Sequence, residues 1–225
     1  MKTIKNSNKI VFFDIGGTLV GAPNLFSYIA EKYKSLQRDR IAEVISENYD
    51  NMYYNALEEK FLSVKEMLKI SLKEASLKLN IEDLSDLAQT YYEELYTNQS
   101  YLYDDVIRVL DILKKAGVKL IVLSNSDSDI LIKELKALNI YDYFDAFIIS
   151  SDVKSYKPSD TIINKALSYC EISKKDIIFV GNSDEDVISA KKMGITSVII
   201  KRWNKTINIS SDFTIKLLDE LLEII

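Results

Sequence analysis

The chain has 225 residues, 47% of them hydrophobic, and a formal net charge of −5. That length suits one large domain or a domain with an insert, the apolar content excludes wholesale disorder, and the acidic balance argues against nucleic acid as main partner. There is no histidine and one cysteine, Cys170, which excludes Ser-His-Asp and Cys-His triads, a His-ligated zinc site and an internal disulfide.

No apolar run reaches the ~18 residues of a membrane span, and no basic-then-apolar leader opens the chain, so a cytoplasmic protein is expected. Lys9 to Val20 opens the readable pattern. Ile10 to Phe13 form a short apolar run, the mark of a strand buried on both faces, and Asp14-Ile15-Gly16-Gly17-Thr18 follows it. An acid at the carboxyl end of such a strand stands where open α/β sheets place their ligands.

After Gly21-Ala22-Pro23 the apolar period becomes helical. Ile41, Val44, Ile45, Tyr49, Met52, Tyr53, Ala56 and Leu57 share one face. Val64 to Leu79 repeat the spacing, as do Leu84 to Leu95, with Asp83 or Ser85 as cap. No glycine interrupts residues 22–116, so residues 21–99 read as an inserted helical unit closed by the linker Thr97-Asn98-Gln99-Ser100. Its eight tyrosines read as helix packing.

From Asp105 helices and strands alternate. Val106 to Leu113 predict a helix capped by Gly117, and Val118 to Leu123 a strand. A helix over 130–138, a strand over Ala146 to Ile149, a helix over 162–167 and a strand over Ile177 to Val180 follow. Cys170 reads as packing. A helix from Asp184 to Met193 stops at Gly194, the strand Ser197 to Ile200 follows, and the tail predicts a strand at Phe213-Thr214-Ile215 and an amphipathic helix from Leu217. The fold class is α/β, a doubly wound parallel (Rossmann-like) sheet core of residues 1–20 and 100–225 with an inserted all-α cap.

Chemistry-bearing residues in such a sheet gather just past the strands. Those positions carry Asp14, then Ser124-Asn125-Ser126, then Tyr156-Lys157-Pro158, then Gly181-Asn182-Ser183-Asp184-Glu185-Asp186. An acid, hydroxyl and amide donors, a lysine and further oxygen ligands suit phosphoryl transfer to an aspartate. Asp14 attacks in line, Ser124 and backbone amides hold the phosphoryl oxygens, and Lys157 neutralises charge. Mg²⁺ is the matching ion, because it takes hard oxygen ligands and keeps several waters. Asp184 and Glu185 read as solvated acids favouring a helix N-terminus.

At this point the sequence resembles the haloacid dehalogenase superfamily, whose members are mostly Mg²⁺-dependent phosphatases. The matching segments are Phe13-Asp14-x-x-Gly17-Thr18-Leu19, Leu123-Ser124-Asn125, Tyr156-Lys157-Pro158 and Val180-Gly181-x-Ser183-x-x-Asp186, in that order along the whole chain. The resemblance implies Asp14, Ser124 and Lys157 as catalytic residues and Gly17, Thr18 and Asn125 at the substrate. It implies Mg²⁺ on Asp14, the Gly16 carbonyl, Asn182 and Asp186. The substrate is then a small-molecule phosphate ester or similar anion, with no nucleic acid or membrane partner; monomer and homodimer stay open.

Two positions depart from the family. Gly16 stands where its phosphatases usually carry a leaving-group acid, a loss worth roughly 10²–10⁴ in rate. Asn182 stands where a metal-ligating aspartate is usual. Three alternatives follow: a C–halogen hydrolase, whose leaving group needs no proton but which calls for a cap arginine that Arg38 and Arg40 do not convincingly supply; a non-catalytic binding module; and, outside the family, an actin-like sugar kinase. The last lacks further glycine-rich loops, as the chain has six glycines in all.

Overall fold

The structure, a computed structural model, describes residues 9–33, 38–56, 60–203 and 206–225. Contacts between Cα atoms divide it into two units, one of residues 1–21, 101–125 and 138–225 and one of 22–100 and 126–137. The second therefore takes in a segment, 126–137, that lies within the range expected for the sheet core.

The first unit is built on a six-stranded sheet. Its strands are β1 (Ile10–Phe13), β4 (Lys119–Ser124), β5 (Ala146–Ile149), β6 (Ile177–Gly181), β7 (Thr196–Ile200) and β8 (Phe213–Ile215), in the order β5-β4-β1-β6-β7-β8. Every pairing is parallel. β1 is central, hydrogen-bonded along both edges to β4 and β6, and all four of its residues, which point alternately to the two faces, are buried. This is why the strand reads as an unbroken apolar run rather than an alternation.

One face of the sheet packs Phe12, Ile121, Leu123 and Phe179 against Ile162, Ile163 and Ala166 of α8 (Asp160–Leu167) and Ala190 and Met193 of α9 (Asp184–Met193). Helix α5 (Val106–Lys115) buries Val106, Val109, Leu110 and Leu113, the i, i+3, i+4, i+7 stripe of an amphipathic helix. A second ribbon pairs β2 (Val20–Gly21) antiparallel with β3 (Tyr101–Leu102), joining the two crossings to the helical insert. The one-turn α7 (Ser150–Val153) and α10 (Leu221–Ile224) complete this unit's helices among the described residues.

The second unit holds α1 (Leu25–Lys32), α2 (Arg38–Ala56), α3 (Val64–Leu79), α4 (Ala88–Asn98) and α6 (Ser128–Ala137). Ile41, Val44 and Ile45 of the expected α2 stripe are buried, whereas Leu57 lies outside the described residues. Ser63 and Glu66 form a capping box at the start of α3, and the Asp127 carboxylate accepts the amides of Val64 (3.1 Å) and Lys65 (2.8 Å). Glu134 of α6 is buried and accepts from the Ser100 hydroxyl, and Lys133 pairs with Glu93 of α4.

Several boundaries differ from the expectation. Helix α1 was not expected; Asn24 caps it, its side chain accepting from the Ser27 amide. Asp83 holds the Ser85 amide at 2.8 Å and starts a 3₁₀ turn over Ser85–Leu87 before α4, which continues through Thr97 and Asn98 into the expected linker. The tail folds as a 3₁₀ turn, Leu218–Glu220, and the short α10 rather than one helix. There Glu220 takes the amides of Lys216 and Leu217 (2.8 Å each) and Asp105 takes that of Leu218 (2.7 Å).

Candidate active site

Asp14 follows the last residue of β1, and its amide donates to the Val180 carbonyl of β6 at 2.9 Å, so the pairing carries one step past the strand. The chain then turns tightly. The Gly17 amide donates to Val20 O (2.7 Å), and the amides of Thr18, Leu19 and Val20 all donate to Ile15 O (3.0–3.1 Å). Gly17 has φ +76°, and a Cβ there would run into the Asn182 amide, so this turn requires glycine. The resulting bridge uses groups on either side of Gly16, whose own N–H and carbonyl stand outside it.

Four strand ends meet at one ammonium. Lys157 Nζ donates to Asp14 Oδ1 (2.8 Å), Asp186 Oδ1 (2.7 Å) and the Leu123 carbonyl (3.0 Å), and lies 5.4 Å from the centre of the Phe179 ring. Its side chain is 3% exposed, which with two carboxylates as partners makes it an internal cation and not a surface lysine. Asn125 brackets the Lys157 backbone, its Oδ1 accepting the amide (2.7 Å) and its Nδ2 donating to the carbonyl (3.2 Å). The amide expected at the substrate therefore supports the lysine. Ser124 is buried at the end of β4.

Asp186 is held from every side. Its Oδ2 accepts from the amides of Asn182 (2.9 Å) and Ser183 (3.0 Å) and the Ser183 hydroxyl (2.8 Å). A Cβ at Gly181 would overlap this carboxylate, so its close approach needs glycine. Asp184 lies in the first turn of α9, as expected, and does more than favour the helix N-terminus. It accepts the amides of Asn208 (2.9 Å) and Ile209 (3.0 Å) and the Asn208 side chain, fixing the loop after β7.

The charges explain the titration. Burial raises the Asp14 carboxyl to about 6; Lys157 pulls it down while neighbouring Asp186 pushes it up. Burial alone would lower the Lys157 ammonium, but the two carboxylates outweigh it and hold it above its usual range. One Asp14 oxygen accepts from Lys157 and the other from the Thr18 hydroxyl at 3.1 Å.

The donors expected for Mg²⁺ are Asp14, the Gly16 carbonyl, Asn182 and Asp186. Asp186 Oδ2 is saturated and its Oδ1 already holds Lys157, so Asp186 stands as the lysine's counter-ion and the cap of α9. Among the described residues no three His, Cys, Asp or Glu gather as a metal cluster. Asp14 Oδ2, the Gly16 carbonyl and the Asn182 amide remain, hard oxygens of the kind Mg²⁺ accepts beside water and a substrate phosphate. They fit the ion with a single carboxylate.

Sequence reasoning missed Arg202. Its guanidinium pairs with both oxygens of Asp105 (2.7 and 2.8 Å) and its Nε donates to the Thr18 carbonyl at 3.1 Å. No local motif joins residues 18, 105 and 202, and the bond to Thr18 is to its main-chain carbonyl, which carries no side-chain signal.

Among known proteins, the chain is 27% identical over 218 residues to a phosphoglycolate phosphatase of Aquifex aeolicus, covering 96% of each chain. It is 22% identical over 161 residues to the pyrophosphatase PpaX of Halalkalibacterium halodurans, covering 68% of this chain and 75% of that one. The L-2-haloacid dehalogenase of Xanthobacter autotrophicus, solved with chloropropionic acid covalently bound, superposes with a TM-score of 0.72 at 22% identity, covering 96% and 97%. The model of the haloacid dehalogenase-like hydrolases matches residues 11–200, and the chain belongs to that family.

Proposed function

We propose that the protein is a small-molecule phosphatase working through an aspartyl-phosphate at Asp14. The carrying observation is the buried Asp14 carboxyl, aligned by Lys157 on one oxygen and Thr18 on the other. One Asp14 oxygen attacks phosphorus; the bond to the leaving oxygen breaks and its electron pair departs with that oxygen. Water then attacks the phosphorus of the aspartyl-phosphate and the carboxylate leaves. Ser124 and the Gly16 amide hold phosphoryl oxygens, and Lys157 offsets the charge that builds on them. Asp14, the Gly16 carbonyl and Asn182 would hold Mg²⁺, which when bound supplies further charge neutralisation to the phosphoryl group.

With Gly16 in place of an acid, the leaving oxygen takes its proton from solvent. Substrates whose leaving groups need none, such as aryl phosphates (aryl oxide) and acyl phosphates (carboxylate), are therefore favoured. Relatives named as phosphatases support this reading over halide displacement, and Arg38 and Arg40, at the start of α2, are both exposed. The intact carboxylate–lysine–carboxylate set speaks against a mere binding module. The test is phosphate release from p-nitrophenyl phosphate and acetyl phosphate with and without Mg²⁺. Slow, Mg²⁺-dependent turnover that Asp14→Asn abolishes is expected. Equal behaviour of wild type and Asp14→Asn on both, and on 2-chloropropionate, overturns it.

A further inference from the structure

Arg202 lies at the carboxyl end of β7, and its side chain is 6% exposed. Burying a guanidinium against a carboxylate costs several kcal/mol per ion in desolvation, and such pairs are weak evidence for stability. Here the ion pair leaves one nitrogen, Nε, unengaged by Asp105, and that nitrogen reaches the turn that carries the nucleophile. Asp105 supplies the counter-charge from the start of α5, its Oδ2 also accepting the Leu218 amide at 2.7 Å, so the carboxylate is itself anchored. The Tyr103 ring lies 4.2 Å from the guanidinium carbon and Trp203 packs on that ring at 6.2 Å, which restricts the plane of the fork. With both terminal nitrogens fixed on Asp105, Nε is aimed at Thr18 O. Thr18 in turn donates its hydroxyl to Asp14 Oδ2.

We propose that Arg202, clamped by Asp105, is a positioning residue for the reaction. It holds the Thr18 main chain so that the Thr18 hydroxyl orients the attacking carboxylate. Arg202 touches neither Asp14 nor the phosphoryl group in this scheme; it acts through Thr18. The inference rests on the reading of Asp14 as nucleophile. Arginine is required because lysine offers one nitrogen where three are used.

The test compares Arg202→Lys, Thr18→Val and their combination with the wild type, using p-nitrophenyl phosphate and amide hydrogen exchange. Arg202→Lys is expected to lower kcat about tenfold with KM changed less than about twofold, because orientation is lost and not binding. The double variant should be no slower than the slower single variant, since both remove one interaction. Amides of residues 17–20 should exchange faster in Arg202→Lys while those of β1 keep wild-type rates. Unchanged kcat, a loss confined to KM, full multiplication in the double variant, or unchanged exchange overturns the proposal. If Arg202→Lys does not fold, Arg202→Gln with Asp105→Asn, which leaves no buried charge, carries the same measurements. If the wild type hydrolyses no phosphate ester or acyl phosphate, the phosphatase reading fails, and the exchange rates alone then decide whether Arg202 holds the turn.

Discussion

Lys157 shows how much one side chain can settle. It sits between two buried carboxylates that would otherwise repel at close range, and its single charge makes the pair tolerable. Lys157→Met removes the charge and leaves both acids unpaired. We expect a loss of about 3–5 kcal/mol in stability by chemical denaturation and at least ~10²-fold in phosphate release. Arg should not rescue, because its planar fork does not fit a site shaped for one nitrogen. Gly16 tests the missing proton donor. A Cβ there meets nothing within 4 Å, so the backbone accepts a side chain. Gly16→Asp should increase turnover of alkyl phosphates more than of aryl phosphates; an equal change for both classes would show that the position does not reach the leaving group. At this scale the sequence was informative. Asp14, Ser124, Lys157 and Asp186 follow strands whose apolar runs are plain, so topology alone brings them to one edge. Asn125 and Asp186 were legible as site residues but not in their contacts, because the choice between substrate, metal and lysine depends on which donor lies nearest.

Among the elements, α6 carries a buried acid with a pH consequence. Burial, only partly offset by the Ser100 hydroxyl, raises Glu134 from 4.5 to about 7. In the folded unit it stays protonated up to about 7, whereas in the unfolded chain it ionises near 4.5. Between those values the unfolded state binds fewer protons, so Glu134's contribution to stability falls as pH rises. The loss is on the order of 3 kcal/mol by pH 8. Glu134→Gln is neutral in both states. Its melting temperature should therefore match the wild type near pH 4.5 and exceed it at pH 8; a gap independent of pH would refute this. The periods of α2, α3, α5 and α9 were readable because each buries one stripe. Helix α1 and the broken tail were not. Their limits come from side chains bonding to backbone amides, Asn24 at α1, and Glu220 and the distant Asp105 at the tail, which no apolar period records.

For the whole molecule, Lys157 already supplies a protein cation to Asp14 and Asp186, so folding should depend little on a bound metal. Chelation with EDTA should stop turnover while lowering the melting temperature by only a few degrees, the part that binding alone contributes. A large fall in melting temperature would mean that the ion, and not Lys157, balances the site. The parallel sheet, the family and the row of strand-end residues were legible in the sequence alone, because apolar runs, their periods and ordered motifs are local properties of the chain. Tertiary structure alone decided that residues 126–137 belong with the helical unit, that Asp184 fastens a loop, and that Arg202 joins Asp105 to the nucleophile turn. Each of those depends on groups 24 to 184 positions apart meeting in space, or on which neighbours a helix packs against. A one-dimensional pattern carries no record of such distances, whereas a buried charge finds whatever partner the fold places within reach.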